Sequence, residues 1–375
     1  MILKEIQISF FRNIEEAKLG LSDGLNYFKG RNSQGKSNFL EAAYCLSLGR
    51  SYRTGLEEEV LAPGSSFARV CGIFSDGGAD YSLEVVWEKT SAALKKVIKY
   101  NGKVISKLAE FINKAPMVLL AAQDINLITG SPDERRKFLD LFCCRIFPGH
   151  IMLLREYRKV MEQRNKWLKM PRNSRDKDLG EVLSEKLCSA GAEILMHRFY
   201  ILEALKPEME KLYADILNIP APDLRYRGSV KEIKEKNIEG IRKAFMKTLQ
   251  SLHYRESMRA FTLAGPHRDD FDLKAGGFSM KSFASMGELR SASIILKMAM
   301  ASIIAGKIGI APIILIDDSF NEFDPPRARL FLNYLVKSGQ VLYSLTDITP
   351  YKNFTESAAE FTVEKGKITP CNPSA

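Results

Sequence analysis

Residues Gly30–Ser37 read GRNSQGKS, which fits G-x-x-x-x-G-K-[ST] at every fixed position. A short apolar run, Leu25–Phe28, reads as a strand before it, and an amphipathic helical pattern, Ser37–Leu48, follows it. Strand, glycine loop and helix in that order give the string a mechanism. The glycines let successive backbone N–H groups curl round phosphate oxygens, and the helix turns its positive end to the anion. Gly30, Arg31, Asn32, Ser33, Gln34, Gly35, Lys36 and Ser37 are therefore the expected nucleotide cradle. Lys36 is expected to reach the terminal phosphates of ATP, and Ser37 to hold Mg2+.

Such a loop needs a second carboxylate site for the metal. Residues 312–318 read PIILIDD, an apolar strand that ends in two aspartates. Asp317 is the expected Mg2+ carboxylate, and Asp318 is expected to orient or deprotonate the attacking water. Asp324, six residues on, lies in the loop toward the next helix. A third element, Ser285-Met286-Gly287-Glu288, opens a long helical pattern 32 residues before Asp317. In this order it is similar to the signature of ABC-type ATPases. There a serine hydroxyl, a glycine N–H and a helix N-terminus present donors to the γ-phosphate held by a second subunit. Ser285, Gly287 and Glu288 are its expected members; an ordinary helix cap on Ser285 is the structural alternative.

The spacing discriminates among such ATPases. Ser37 and Ser285 stand 285 − 37 = 248 residues apart. Transporter subunits bring the two much closer, and SMC-like proteins separate them by hundreds of coiled-coil residues. The reading is an α/β chain: a P-loop ABC-type, SMC-like ATPase head with an inserted, mostly helical second domain and no long coiled coil. Residues 1–130 and 256–375 are the two parts of the ATPase domain, and residues 131–255 are the helical domain. Strands are expected at Leu3–Phe10, Ala68–Phe74, Tyr81–Trp87, Pro116–Ala122, Pro312–Ile316 and Gln340–Leu345. A hairpin turns at Asn101-Gly102, and helices are expected at Glu288–Ile304 and Pro326–Val336.

Composition narrows the setting. The 375 residues carry 55 Lys+Arg against 45 Asp+Glu, a net +10, with 45% hydrophobic residues, which excludes wholesale disorder and favours a polyanionic partner. Six cysteines form no Cys-x-x-Cys and only four histidines occur, so neither a zinc site nor a disulfide framework is expected. Met1–Phe11 shows no secretory signal, and Lys297 and Lys307 interrupt the apolar stretch Ile294–Ile316, so a cytoplasmic protein with no membrane span is expected. Much of the positive excess has a location: 13 Lys+Arg against 7 Asp+Glu between Ser131 and Gly180. At about 100° per residue, Arg155, Arg158, Lys159, Lys166 and Lys169 share one helix face, interrupted by Glu162, and this is the candidate polyanion surface.

Five segments extend this into a family resemblance. They are Leu3–Asn13 (LKEIQISFFRN), Ser37–Thr54 (SNFLEAAYCLSLGRSYRT), Leu120–Asp140 (LAAQDINLITGSPDERRKFLD), Thr262–Asp270 (TLAGPHRDD) and Phe283–Asp324. Together they resemble the RecF family of bacterial recombinational repair ATPases from end to end. The resemblance implies ATP-driven dimerisation on DNA, slow hydrolysis that releases it, and work with RecO and RecR to place RecA on gapped DNA, with links to replication and the SOS response. It also implies that a DNA backbone lies along the cationic face at Arg155–Lys169, that Gln123 senses the metal and that Thr346 stands near a switch position after the last strand. Departures are Ser33 where the family usually has Gly, Ala122-Gln123 for Pro-Glu, and Met286 and Glu288 where Gln is commoner. His267-Arg268-Asp269-Asp270 reads as an ion-paired structural turn. The rival readings are a transport ATPase subunit, a clamp that senses nucleotide without hydrolysis, and another SMC-like repair ATPase such as RecN. The 248-residue spacing, the intact carboxylate pair and the missing heptads respectively speak against them.

Overall fold

The computed structural model describes residues 1–91, 93–318, 320, 323–347 and 358–371. The chain divides into two compact units: Met1–Asp124, Asp215–Leu217 and Lys297–Ala375 form one, and Ile125–Ala214 with Asn218–Leu296 forms the other. In chain order the strands are β1 (Ile2–Phe11), β2 (Ile14–Gly20), β3 (Leu25–Lys29), β4 (Phe67–Ser75), β5 (Tyr81–Lys89), β6 (Leu94–Tyr100), β7 (Lys103–Val104), β8 (Met117–Ala121), β9 (Asp223–Arg227), β10 (Asp270–Ala275), β11 (Phe278–Ser279), β12 (Ile313–Asp317), β13 (Val341–Leu345), β14 (Ala359–Glu364) and β15 (Lys367–Pro370). The longer helices are α1 (Lys36–Leu48), α2 (Pro132–Ile146), α3 (His150–Lys169), α4 (Lys177–Leu212), α5 (Ile238–Arg259), α6 (Met286–Ile308) and α7 (Pro325–Ser338).

The first unit holds two sheets. One is antiparallel, in the order β2-β1-β4-β5-β6-β7; the other runs β15-β14-β3-β13-β12-β8 and is parallel except at β15. Alternation decides the first: Leu3, Ile6, Ile8 and Phe11 of β1 are fully buried. Its β6–β7 turn has positive φ at both Asn101 and Gly102, the geometry that suits a two-residue hairpin. In the parallel sheet β8 and β13 are buried at every residue, as strands covered on both faces are. Helix α1 touches strands of both sheets. Apart from Ser37 and Asn38 it is buried throughout, so it is a core helix and not the amphipathic helix expected.

The second unit is mostly helical, with a three-stranded sheet β11-β10-β9. Its helix starts are capped by local chemistry. Ser131 and Glu134 form a reciprocal capping box with Pro132 in the first turn, and Asp176 and Asn237 cap α4 and α5. The core gathers Trp167, Leu187, Leu195 and Phe245. Through it runs a buried ion pair, Arg164 Nη2 to Glu256 Oε2 at 2.6 Å. Arg164 also donates to Thr262 Oγ1 and Ser184 Oγ, and Glu256 accepts from the Leu263 N–H. The Gly-Pro-His-Arg-Asp-Asp run is tied down in the same way. Asp269 is fully buried and accepts from Ser229 N and Tyr226 Oη, both at 2.7 Å, while Asp270 takes a two-pronged bond from Arg135.

One expectation needs correction. The chain re-enters the first unit at Lys297, not at residue 256, because β10 pairs with β9 and Asp270 with Arg135, which keeps the segment after Thr262 in the helical unit. Helix α6, despite its lysines, is long and apolar enough to span a membrane by length and composition. However, 61% of its most apolar window is buried within the protein, and Lys297 donates to the Leu119 carbonyl at 2.7 Å and pairs with Asp124. It is built as a core helix.

Arg164→Ala should leave Glu256 buried without its cation, lowering stability by about 3–5 kcal/mol in urea titrations. Burial first, then the neighbouring His150, depresses the His197 pKa to about 4. Burial likewise holds His267 near 4. Both are neutral in the fold and titrate near 6.5 when unfolded, so their contribution is intact above pH 6.5 and falls as pH drops toward 4. His197→Phe, which keeps the stack on Phe147, should flatten that slope in melting curves taken across pH.

Candidate nucleotide site

Parallel pairing brings the carboxyl ends of four strands to one level. Asp317 lies opposite Ser344 on β13 and Ala121 on β8, and Lys29 at the end of β3 lies opposite Leu345. Such an edge is where open α/β sheets bind ligands. Here it borders a cavity of about 550 Å³, lined by Asn32, Ser33, Gly35, Lys36 and Ser37 of the loop together with Asp318, Ala122, Asn13, Asn38 and Arg53.

The loop has room for nothing larger than its glycines. A Cβ on Gly30 would sit 2.3 Å from the Val363 carbonyl oxygen, and one on Gly35 (φ +115°) would sit 2.7 Å from Asn13 Oδ1. Ser33 takes a left-handed φ of 63°, which a glycine would adopt freely. Gln34 is turned to the β14–β15 hairpin: its carbonyl accepts from Gly366 N and its side chain from Lys365 N, each at 2.8 Å. Arg31 supplies a carbonyl. Lys36 is buried and donates to the carbonyls of Gly30 (2.7 Å) and Arg31 (3.0 Å). Burial lowers its pKa, offset in part by Asp318 and Asp317.

Asp317 is held from both oxygens. Ser37 Oγ (2.7 Å) and Ser344 Oγ (3.0 Å) donate to Oδ1, and Tyr52 Oη donates to Oδ2 at 2.7 Å. Burial and then the Asp317 charge raise the Tyr52 pKa, so the phenol stays a donor. Asp318 departs from the strand with a φ of 52° and pairs across to Ala121 as an isolated bridge. Beneath the rim, fully buried Glu41 accepts from Arg12 Nε and Nη2 (3.1 and 2.8 Å) and from Arg53 Nη1 (3.3 Å). Arg53 reaches on to Asn38 Oδ1 at 2.6 Å.

These groups fit a nucleotide with Mg2+. Ser37 Oγ and Asp317 Oδ1, two hard oxygen donors 2.7 Å apart, could share one ion whose other ligands are phosphate and water. Among the described residues no cluster of three or more His, Cys, Asp or Glu could hold a metal by itself. Asn13, Tyr52, Arg53 and Ser344 were not singled out from the sequence. Each lies in or beside an expected element, but only the tertiary register brings them to the loop.

The remaining expected residues fall elsewhere. Gln123 is exposed in the turn Ala122–Ile125 and does not line the cavity. Asp324 caps α7 by accepting from Arg327 N at 2.9 Å, and Thr346 is exposed just past β13. In the helical unit Ser285 N and Oγ both donate to Glu288 Oε2 at 2.7 Å, and Glu288 N donates back to Ser285 Oγ at 3.3 Å. That is a capping box, so the serine hydroxyl engages its own helix in this form. Gly287 lies in the first turn of the same helix. On α3, Arg155, Arg158, Lys159, Lys166 and Lys169 are all exposed, while Tyr157, Val160, Trp167 and Leu168 are buried.

No family model matches the chain. Curated relatives do. It is 34% identical over 370 residues to the DNA replication and repair protein RecF of Streptococcus pyogenes serotype M49, and 30% identical to that of Bacillus cytotoxicus; 98% of each chain is covered. The chain belongs to the RecF family. Solved structures agree. The recombination mediator protein RecF-ATPrS in the RecFOR pathway superposes with a TM-score of 0.89 at 29% identity, covering 99% of this chain and 98% of that one. The corresponding RecF-ATP structure gives 0.88 at 31% identity, covering 99% and 97%. An Smc head domain from Pyrococcus furiosus gives 0.54 at 14% identity, covering 99% and 96%, and shares the fold. This RecF-family chain thus has the α/β fold shared with SMC heads, and among the described residues there is no long coiled coil.

Lys36→Ala removes the cation buried at the mouth of the loop. Titration with a fluorescent ATP analogue should show binding weakened by about tenfold or more, with the nucleotide-free melting temperature little changed.

Proposed function

We propose that the chain is an ATPase whose nucleotide state controls its hold on DNA in recombinational repair. One observation carries this: Lys36, Ser37 and Asp318 line the cavity that the glycine loop cradles, and Asp317 accepts a hydrogen bond from Ser37 beside it. The β- and γ-phosphates would draw Lys36 out of its present carbonyl contacts with Gly30 and Arg31. Ser37 and Asp317 would hold Mg2+, with Ser344 and Tyr52 fixing the carboxylate. Bound Mg2+ supplies charge neutralisation at the terminal phosphates. Asp318, bent out of the sheet, would orient the attacking water and take its proton.

Ser285, Gly287 and Glu288 would complete the site of a second copy, so that ATP joins two chains and hydrolysis parts them. The Ser285 hydroxyl would leave Glu288 for the γ-phosphate in that dimer. Gln123 and Thr346 would join the site only in that closed form, and Asp324 would meet the partner while keeping its capping bond. The exposed cations of α3 would run along a DNA backbone without reading bases. RecR, with RecO, would be the protein partners at gapped DNA in the cytoplasm.

The α3 reading predicts a salt slope: if five phosphates are neutralised, log K should fall against log[salt] with a slope of roughly −4.5. Asp318→Asn tests the chemistry cleanly, because asparagine tolerates a left-handed φ and should keep the backbone in place. ATP turnover should fall by about 100-fold or more, with ATP binding retained and DNA complexes outlasting those of the wild type. Wild-type turnover in this variant would overturn the role given to Asp318.

A further inference from the structure

At the end of the helical unit the chain leaving α3 folds back against the C-terminal half of α5. Arg175 fixes it there. Its guanidinium donates to the carbonyls of Leu168 (2.6 Å) and Met170 (2.9 Å) and to Ser257 Oγ (2.9 Å), and it lies over the Trp167 ring at 5.4 Å. Nearby, the Arg172 guanidinium lies 5.4 Å from the centre of the Tyr254 ring. Tyr254 is nevertheless 68% exposed, and Met258, one helical turn on, is 65% exposed. A large aromatic ring at a helix surface ordinarily finds cover. This one has a cation beside it and most of its area open.

The charge around it is one-sided. Residues 166–175 and 251–259 contribute Lys166, Lys169, Arg172, Arg175, Arg255 and Arg259 and a single carboxylate, Glu256. Glu256 is fully buried on Arg164 and presents no charge to this surface. Carboxylates resume at Asp176, which caps α4 by accepting from Leu179 N. Cations alone would suit any polyanion. An open ring backed by a guanidinium adds a planar apolar platform, which unpaired bases can use and a closed duplex, its bases stacked inside, cannot.

We propose that this end of the helical unit binds single-stranded nucleic acid, with Tyr254 stacking an unpaired base and the surrounding cations following its backbone. The inference rests on the DNA-binding reading and deepens it. Lys166 and Lys169 belong both to this surface and to the cationic face of α3, so a strand held here continues a backbone path along that helix. The site is independent of sequence, because every base offers a stackable face.

The test uses the full chain with ATP and two probes of equal length, a gapped duplex carrying 2-aminopurine in its single-stranded arm and a blunt duplex. Tyr254→Ala should weaken binding to the gapped probe by about tenfold and to the blunt duplex by less than about twofold. It should also abolish the 2-aminopurine quenching seen with the wild type. Tyr254→Phe should retain both affinity and quenching, which separates stacking from loss of fold. Unchanged gapped-probe affinity, equal losses on both probes, or a Phe variant as weak as the Ala variant would overturn the proposal. So would a poly-glutamate peptide that binds through Tyr254 while gapped-DNA binding is untouched, for that would make the surface a protein dock. Failure of the wild type to bind either probe would instead sink the DNA reading and this site with it.

Discussion

The site depends on the placement of one carboxylate. Asp317 stands at the end of a buried parallel strand, where an unpartnered charge would be costly. Three hydroxyls from three separate elements donate to it: Ser37 at the start of α1, Ser344 on the neighbouring strand and Tyr52 in the loop after α1. Together these bonds leave the carboxylate little freedom to rotate. The same bonds lock the phosphate loop to the strand that must work with it. Sheet register, helix start and loop geometry are all constrained by satisfying that one group.

Much of this was legible in sequence because the chemistry is local. GRNSQGKS and PIILIDD each announce a strand end and a donor set, and the alternation in Leu3–Phe10 or the Asn101-Gly102 turn needs no distant partner. What escaped depends on tertiary pairing. Strand β2 (IEEAKLG) is rich in Glu and Lys and forms because β1 offers it an edge. Strand β9 forms against β10, more than 40 residues away, and that pairing moved the unit boundary to Lys297. Tyr52 and Arg53 lie within a stretch that resembles the family, yet no spacing rule joins them to Asp317 or Glu41. The burial of α1 is not legible because Asn38 and Glu41 are polar residues within a largely apolar helix. In the fold Glu41 points into a network with Arg12 and Arg53.

The helical unit uses a comparable device without a ligand. Arg164 with Glu256, Arg135 with Asp270 and Arg198 with Asp140 are ion pairs at low exposure, each reinforced by further hydrogen bonds. Buried pairs of this kind add little net stability over apolar packing, and breaking one is expensive. They fix how α2, α3, α4 and α5 meet, which an interior of leucines and alanines would leave less defined. Surface cations on α3 and α5 thus sit on helices whose buried faces are joined through Arg164 and Glu256.

The hairpin β14–β15 has a bearing on when the nucleotide site can exist. Its turn donates Lys365 N and Gly366 N to Gln34, some 331 residues earlier, and its Val363 carbonyl closes on Gly30. Strand β3 itself sits between β13 and β14, so both of its hydrogen-bonding edges are filled by late segments. On a ribosome the phosphate loop therefore emerges well before β13 and β14, the strands that support it. Until those strands are in place both edges of β3 are open, and Gly30 and Gln34 lack the contacts that fix the loop.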